Sequence, residues 1–226
     1  MNPWLMVAVA GFACSAVAVR VAIHLSRRLA FLDRPGAEAH KQHARAVPYG
    51  GGAAMAVALG VTLLLAWLPL SSEAFAHGLA IRGNMLPVII CGGLALFVLG
   101  LLDDRKPLPA RTKLLLQGAI CAWAVAYGDI GIDSLQHLPW LSYVIAWFWL
   151  LLVTNAYNLL DHADGLSSGV ALVSACILLL GSLLSDDLPL ALLWTGLIGV
   201  LSGFLLWNLP PARIYMGDAG ALPLGF

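Results

Sequence analysis

The stretch Met85–Leu102, MLPVIICGGLALFVLGLL, runs without a charge and is followed at once by Asp103 and Asp104. An apolar run of roughly 18 residues or more reads as a membrane-spanning helix, because about 20 residues at about 1.5 Å each cross the hydrocarbon core. The two acids therefore stand where this helix leaves the lipid. Working outward, six further apolar blocks occupy Pro3–Ile23, Gly52–Leu70, Leu114–Tyr127, Leu138–Val153, Leu166–Leu184 and Leu188–Trp207. Together they predict an all-α, polytopic transmembrane bundle of seven spans, a single integral membrane domain over residues 1–226. The fourth and fifth blocks are short for a full crossing, which leaves a re-entrant segment as the alternative there, although Trp140, Trp147 and Trp149 suit an interfacial belt. Composition agrees. Charged residues make up 11% of the chain and apolar residues 61%, whereas a soluble domain carries about 25% charged residues.

Charge placement sets the expected orientation. Arg27, Arg28, Arg34, Lys41 and Arg45 follow the first span, and Arg105, Lys106, Arg111 and Lys113 follow the third, while the even-numbered connections hold only Arg82. By the positive-inside rule the odd-numbered connections face the cytoplasm and the N-terminus lies outside. The first block is basic at its far end, the wrong polarity for a cleaved signal peptide. Net charge is zero and no basic stretch is interleaved with aromatics, so nucleic acid is not an expected partner. Cys14, Cys91, Cys121 and Cys176 lie singly inside apolar blocks and suggest neither a disulfide framework nor a zinc site.

Four polar clusters fall in odd-numbered connections and so are expected at one membrane face. Asp103 and Asp104 close the third span at a helix C-terminus, where the macrodipole disfavours negative charge. Either Arg105 and Lys106 offset that cost or the pair caps the next helix, or the pair binds a divalent ion or takes a proton. The run Asn155, Asn158, Asp161, Asp164, followed by Gly165, spaces amides and carboxylates at steps of three, which shares a helical face. Capping by Asp164 and the asparagines explains one or two of these residues, not four. Ile214–Gly220 brackets Asp218 between glycines, which permit close approach to a ligand or make a simple turn. The first connection joins Lys41, His43 and Arg45 to the glycine run 50–52, and taken alone it reads as a topology-setting basic loop. His43 and His162 read as proton carriers or as hydrogen-bonded loop histidines. His24, His77 and His137 are assigned no role.

Hard oxygen donors with no Cys or His framework favour magnesium, with manganese as the alternative. Acids flanked by Lys41, Arg45, Arg111 and Lys113 suit a metal-bridged diphosphate, and hence phosphoryl transfer. The combination of Asp103-Asp104 with Lys113 and Gln117, the Asn-x-x-Asn-x-x-Asp-x-x-Asp-Gly-Leu run at 155–166, and Met216-Gly217-Asp218-Ala219-Gly220 resembles the polyprenyl-phosphate N-acetylhexosamine-1-phosphate transferases. That family includes the undecaprenyl-phosphate GlcNAc-1-phosphate transferases and phospho-MurNAc-pentapeptide translocase. The resemblance implies transfer of a sugar-1-phosphate from a UDP-sugar to undecaprenyl phosphate, with release of UMP, at the cytoplasmic face of a bacterial inner membrane, and leaves a homodimer open. It assigns Asp218 and Asn158 to the metal, and Asp103 and Asp104 to the lipid-phosphate side, one of them as a base. Asp161 and Asp164 go to the nucleotide or metal shell, Lys113 to phosphate, and Lys41, His43, Arg45, Asn155 and Gly165 to substrate.

His162 stands where the family usually has glycine, Ala221 where serine is common, His40 where arginine is usual and Ala46 where proline is common. These departures bear on which sugar is used rather than on the reaction. The family normally continues with further helices and a histidine-containing loop, so the resemblance implies that this chain is the N-terminal two-thirds of a longer fold. Phospho-MurNAc-pentapeptide is the alternative donor group. An ion-coupled transporter is the alternative of another class, but it needs acids near the bilayer midplane. Here they cluster at span ends. A non-catalytic scaffold is the third reading.

Overall fold

The computed structural model describes residues 3–33, 46–70, 85–135 and 137–226. All seven apolar blocks form helices: α1 (Pro3–Arg28), α2 (Gly51–Leu70), α3 (Met85–Arg105), α4 (Ala110–Gly128), α5 (Pro139–Leu160), α6 (Leu166–Leu184) and α7 (Leu188–Asn208). A short helix, α8 (Asp218–Gly225), follows, and two-residue strands β1 (Leu32–Asp33) and β2 (Val47–Pro48) pair antiparallel. The chain is a polytopic helical membrane protein. Five helices among the described residues are long and apolar enough to cross a bilayer, namely α1, α3 from Pro87, α5, α6 and α7. α2 and α4 are not among these five. The described apolar part of α2 stops at Ala66, and α4 opens with Arg111 and Lys113 in its first turns.

The chain divides into two compact units, one of residues 1–78 with 161–217 and the other of residues 79–160 with 218–226. In the first unit α7 packs against α1, α2 and α6. Small residues let α1 and α7 approach closely: a methyl group on Gly11 would lie 2.9 Å from the Gly196 carbonyl oxygen, and one on Gly203 2.5 Å from that of Phe12. Such contacts replace the hydrophobic effect as the source of helix association in lipid. The glycine run before α2 serves the chain itself. Gly51 and Gly52 donate their N–H groups to the carbonyls of Tyr215 and Met216 at 3.0 and 2.8 Å, and Tyr215 donates to Pro48. These bonds satisfy two of the amides that a helix start leaves without partners.

In the second unit α8 packs against α3 and α5, and α4 packs against both of those helices. Leu96, Leu99 and Leu222 form the buried centre, with Leu108, Ile120 and Phe226 around them. The Trp147 indole N–H donates to the Gly118 carbonyl at 2.8 Å and ties α5 to α4.

Candidate active site

The second unit gathers five of the expected residues at the C-terminal ends of α3 and α5 and the starts of α4 and α8. Lys113 donates to Asp103 Oδ2 at 3.0 Å and also pairs with Asp218 Oδ2. The other Asp218 oxygen accepts from the Asn158 amide at 2.5 Å. Asp103 Oδ1 accepts the Leu108 N–H at 2.7 Å and so fixes the turn into α4. Asp104 accepts two backbone N–H groups, from Asp218 at 2.8 Å and Ala219 at 3.1 Å. It therefore caps α8, not α4, and the favourable end of that helix dipole offsets its unfavourable place at the end of α3.

The three ion-paired side chains are mostly covered, at 16–19% exposure. Burial pushes the Asp218 carboxyl above the usual carboxylate range, a hydrogen bond shared with Asp103 adds to this, and Lys113 and Asn158 oppose it. Burial also works against the Lys113 ammonium, yet its bonds to Asp218 and Asp103 prevail and hold it above the ordinary lysine value. One cation thus bridges two carboxylates.

The first unit holds Asp161, Asp164 and Gly165, and its two acids act on the segment between α7 and α8. Asp164 Oδ2 accepts the Ala212 N–H at 2.9 Å, and Asp161 Oδ2 accepts the Gly217 N–H at 3.0 Å. Gly165 is the N-cap of α6 with φ +73°, a left-handed conformation suited to glycine. The alternative that Asp164 merely caps α6 does not hold, since the N-cap position is Gly165 and no side-chain cap is made. Asn155, on α5, turns its amide back onto the Leu151 carbonyl of its own helix at 2.8 Å. Lys41, His43 and Arg45 lie outside the described residues.

Sequence reading passed over two positions. Gly100 admits α8: a methyl group there would lie 2.5 Å from the Ala219 nitrogen and closer still to the Asp218 carbonyl. The only signal was a glycine in a Leu- and Val-rich run one turn before the acids. Asn208 is buried at the end of α7, where its Oδ1 accepts from Gly165 N–H (3.1 Å) and Ser168 Oγ (2.9 Å) while its amide donates to Ile214 (3.0 Å). Replacing it with alanine removes all three bonds and leaves the buried Ile214 carbonyl without this donor. Asn208→Ala is expected to cost about 2–4 kcal/mol, read as a lowered unfolding midpoint in detergent. Gln117, one turn beyond Lys113, is fully buried with neither amide atom hydrogen-bonded.

Among the described residues no three His, Cys, Asp or Glu side chains gather to hold a metal ion. The donors beside Lys113 are two carboxylates and one amide. Which atom of the Asn158 amide is oxygen is set by its partners, so the same side chain can offer a cation its oxygen. Magnesium uses only one or two protein carboxylates and fills its sphere with water and substrate phosphate. The residues fit it.

Residues 86–226, more than half of the chain, match the profile of glycosyl transferase family 4. The chain is 28% identical over 230 residues to a probable undecaprenyl-phosphate N-acetylglucosaminyl 1-phosphate transferase of Bacillus subtilis, covering 96% of this chain and 60% of that protein. It is 32% identical over 200 residues to an undecaprenyl-phosphate alpha-N-acetylglucosaminyl 1-phosphate transferase of Thermotoga maritima, covering 88% and 55%. A phospho-N-acetylmuramoyl-pentapeptide-transferase of Bacillus velezensis is 29% identical over 235 residues, covering 95% and 70%. The chain thus spans a little over half the length of the first two relatives. With its motif residues 103, 104, 113, 158 and 218 in direct contact, this chain belongs to glycosyl transferase family 4.

Proposed function

We propose that the protein transfers N-acetylhexosamine-1-phosphate from a UDP-sugar to undecaprenyl phosphate or a related polyprenyl phosphate, releasing UMP. The observation that carries this reading is the Asp103–Lys113–Asp218–Asn158 cluster, two acids from separate parts of the sequence held on one ammonium with an amide bonded to the second acid. Asp218, Asp103 and Asn158 would hold magnesium, which would supply charge neutralisation to a diphosphate. Manganese has the same preference for hard oxygen. Lys113 sits within reach of the same oxygens and is suited to an incoming phosphate. Asp104 holds Asp218 in place through its backbone rather than acting as the base. No strong base is needed, because a phosphate monoester with a second pKa near 6 is already ionised at neutral pH. Asp161 and Asp164 hold the backbone of the segment leading to Asp218 and would orient the nucleotide or metal shell from there.

The orientation belongs to the same proposal. Asp103 ends α3, Asn158 ends α5 and Lys113 opens α4, so α4 runs back between two helices whose C-terminal ends share one cluster. Counted with α2, whose twenty residues span about 30 Å, α4 completes seven crossings. The basic ends of α1 and α3 then face the cytoplasm and the N-terminus lies outside. The setting is a bacterial inner membrane with the cluster on its cytoplasmic side. A homodimer is compatible with this arrangement.

The test uses the full-length protein containing this chain, purified in detergent with undecaprenyl phosphate. UMP release should require both the lipid and magnesium, and should be faster with UDP-GlcNAc than with UDP-MurNAc-pentapeptide. The reverse preference would transfer the proposal to the second group of relatives. Asp218→Asn is expected to lower kcat at least about 100-fold, the scale of a lost transition-state charge contact. Full activity in that variant would refute the metal assignment.

A further inference from the structure

The first unit contains a second charged feature that the acid cluster does not use. A cavity of about 420 Å³ is lined by Arg20, Ile23, His24 and Arg27 of α1 together with Trp207 and Arg213. Arg20, His24 and Arg27 are spaced i, i+4, i+7 and share one face of the helix. The Arg213 guanidinium lies 5.8 Å from the centre of the Trp207 ring and reaches the cavity from the other side. Three arginines thus line one cavity, and among the described residues its lining holds no carboxylate and none of the three forms an ion pair. Arg20 is two turns, about 12 Å, below the basic end of an apolar helix. A charge at that depth is costly without a counter-ion.

We infer that this cavity binds the phosphodiester headgroup of an anionic glycerophospholipid. Guanidinium forks match phosphate oxygens two at a time and are less strongly hydrated than an ammonium, which suits a site at the edge of the hydrocarbon. Val17, Val21 and Leu25, on the same stretch of α1 as the arginines, and Leu206, next to Trp207 in α7, are exposed, so a ligand with acyl chains has apolar surface to lie on. That surface disfavours a free nucleotide or inorganic phosphate. Basic pockets between membrane helices are a recurrent means of holding such headgroups. The inference is independent of the proposed activity.

Native mass spectrometry of the purified full chain tests it with dioleoylphosphatidylglycerol, dioleoylphosphatidylcholine and undecaprenyl phosphate at equal mole fraction. Phosphatidylglycerol should be retained at least about ten-fold more strongly than phosphatidylcholine. The R20Q/R27Q double variant should weaken its retention roughly 10- to 30-fold, as expected for two basic groups near a lipid surface. Arg28→Gln, on the same turn but outside the cavity, should leave it unchanged. Should the double variant fail to fold by circular dichroism, Arg213→Gln alone decides, with an expected loss of about five-fold. Equal retention of the two phospholipids, or wild-type retention by these variants, overturns the inference. Preferential retention of undecaprenyl phosphate, lost in the same variants, also overturns it and gives the cavity to the substrate lipid.

Discussion

Lys113→Met is expected to destabilise the protein by about 2–4 kcal/mol and to abolish activity. The side chain is nearly isosteric but removes the one charge that joins Asp103 to Asp218. Breaking a buried pair costs about 3–5 kcal/mol because the remaining charge is left uncompensated. The partial exposure of these groups, 16–19%, reduces that figure through solvent screening. The remaining defect is repulsion between two carboxylates, which gives the variant a signature that a mere packing fault lacks. Its deficit should shrink as pH falls, since protonating either acid removes the repulsion. Millimolar magnesium should also restore part of the stability, because a divalent cation replaces the lost charge. Thermal unfolding across pH, with and without the ion, checks both points. A deficit unchanged by either would show that Lys113 acts through packing.

The second large effect is expected at Asp104. Its two oxygens accept the first two N–H groups of α8, those of Asp218 and Ala219. Asparagine keeps the shape but offers one acceptor and turns an NH2 group toward the other amide. The variant loses one charge-assisted hydrogen bond, weakens the second and loses the interaction with the helix dipole. Together these are worth about 2–4 kcal/mol. Because Asp218 begins that helix, Asp104→Asn should also raise the magnesium concentration needed for half-maximal activity. A base would give a different result. Activity lost at saturating magnesium, with unchanged stability, would restore Asp104 to proton transfer.

Much of this was legible in the sequence because periodicity and composition report on local structure. The apolar blocks mark every long helix, with α1 extending to Arg28 and α5 to Leu160. Asp103, Lys113, Asn158 and Asp218 could be grouped because their residue types demand partners and their spacing follows helix ends. The span count was less secure, since α4 takes its place from its neighbours in the second unit rather than from its own hydropathy. Pairings between distant residues left no periodic trace. Nothing around Asp104 announces that its donors lie at 218 and 219, Gly100 owes its role to backbone that arrives more than a hundred residues later, and Asn208 takes two of its three partners, Gly165 and Ser168, from 43 and 40 residues earlier. Asp161 and Asp164 stood out by residue type, and nothing in their spacing announced the N–H groups of Gly217 and Ala212 that they accept.

The distance along the chain between Asp104 and its donors also orders biosynthesis. During elongation α3 reaches the bilayer with a carboxylate whose partners are separated from it by 114 and 115 residues. Domains assemble as the chain emerges, earlier parts first, yet this unit cannot close until residues 218–226 arrive. A ribosome stalled in α7 would leave an interrupted bundle with a bare acid at the membrane surface, a form suited to recognition by quality-control proteases.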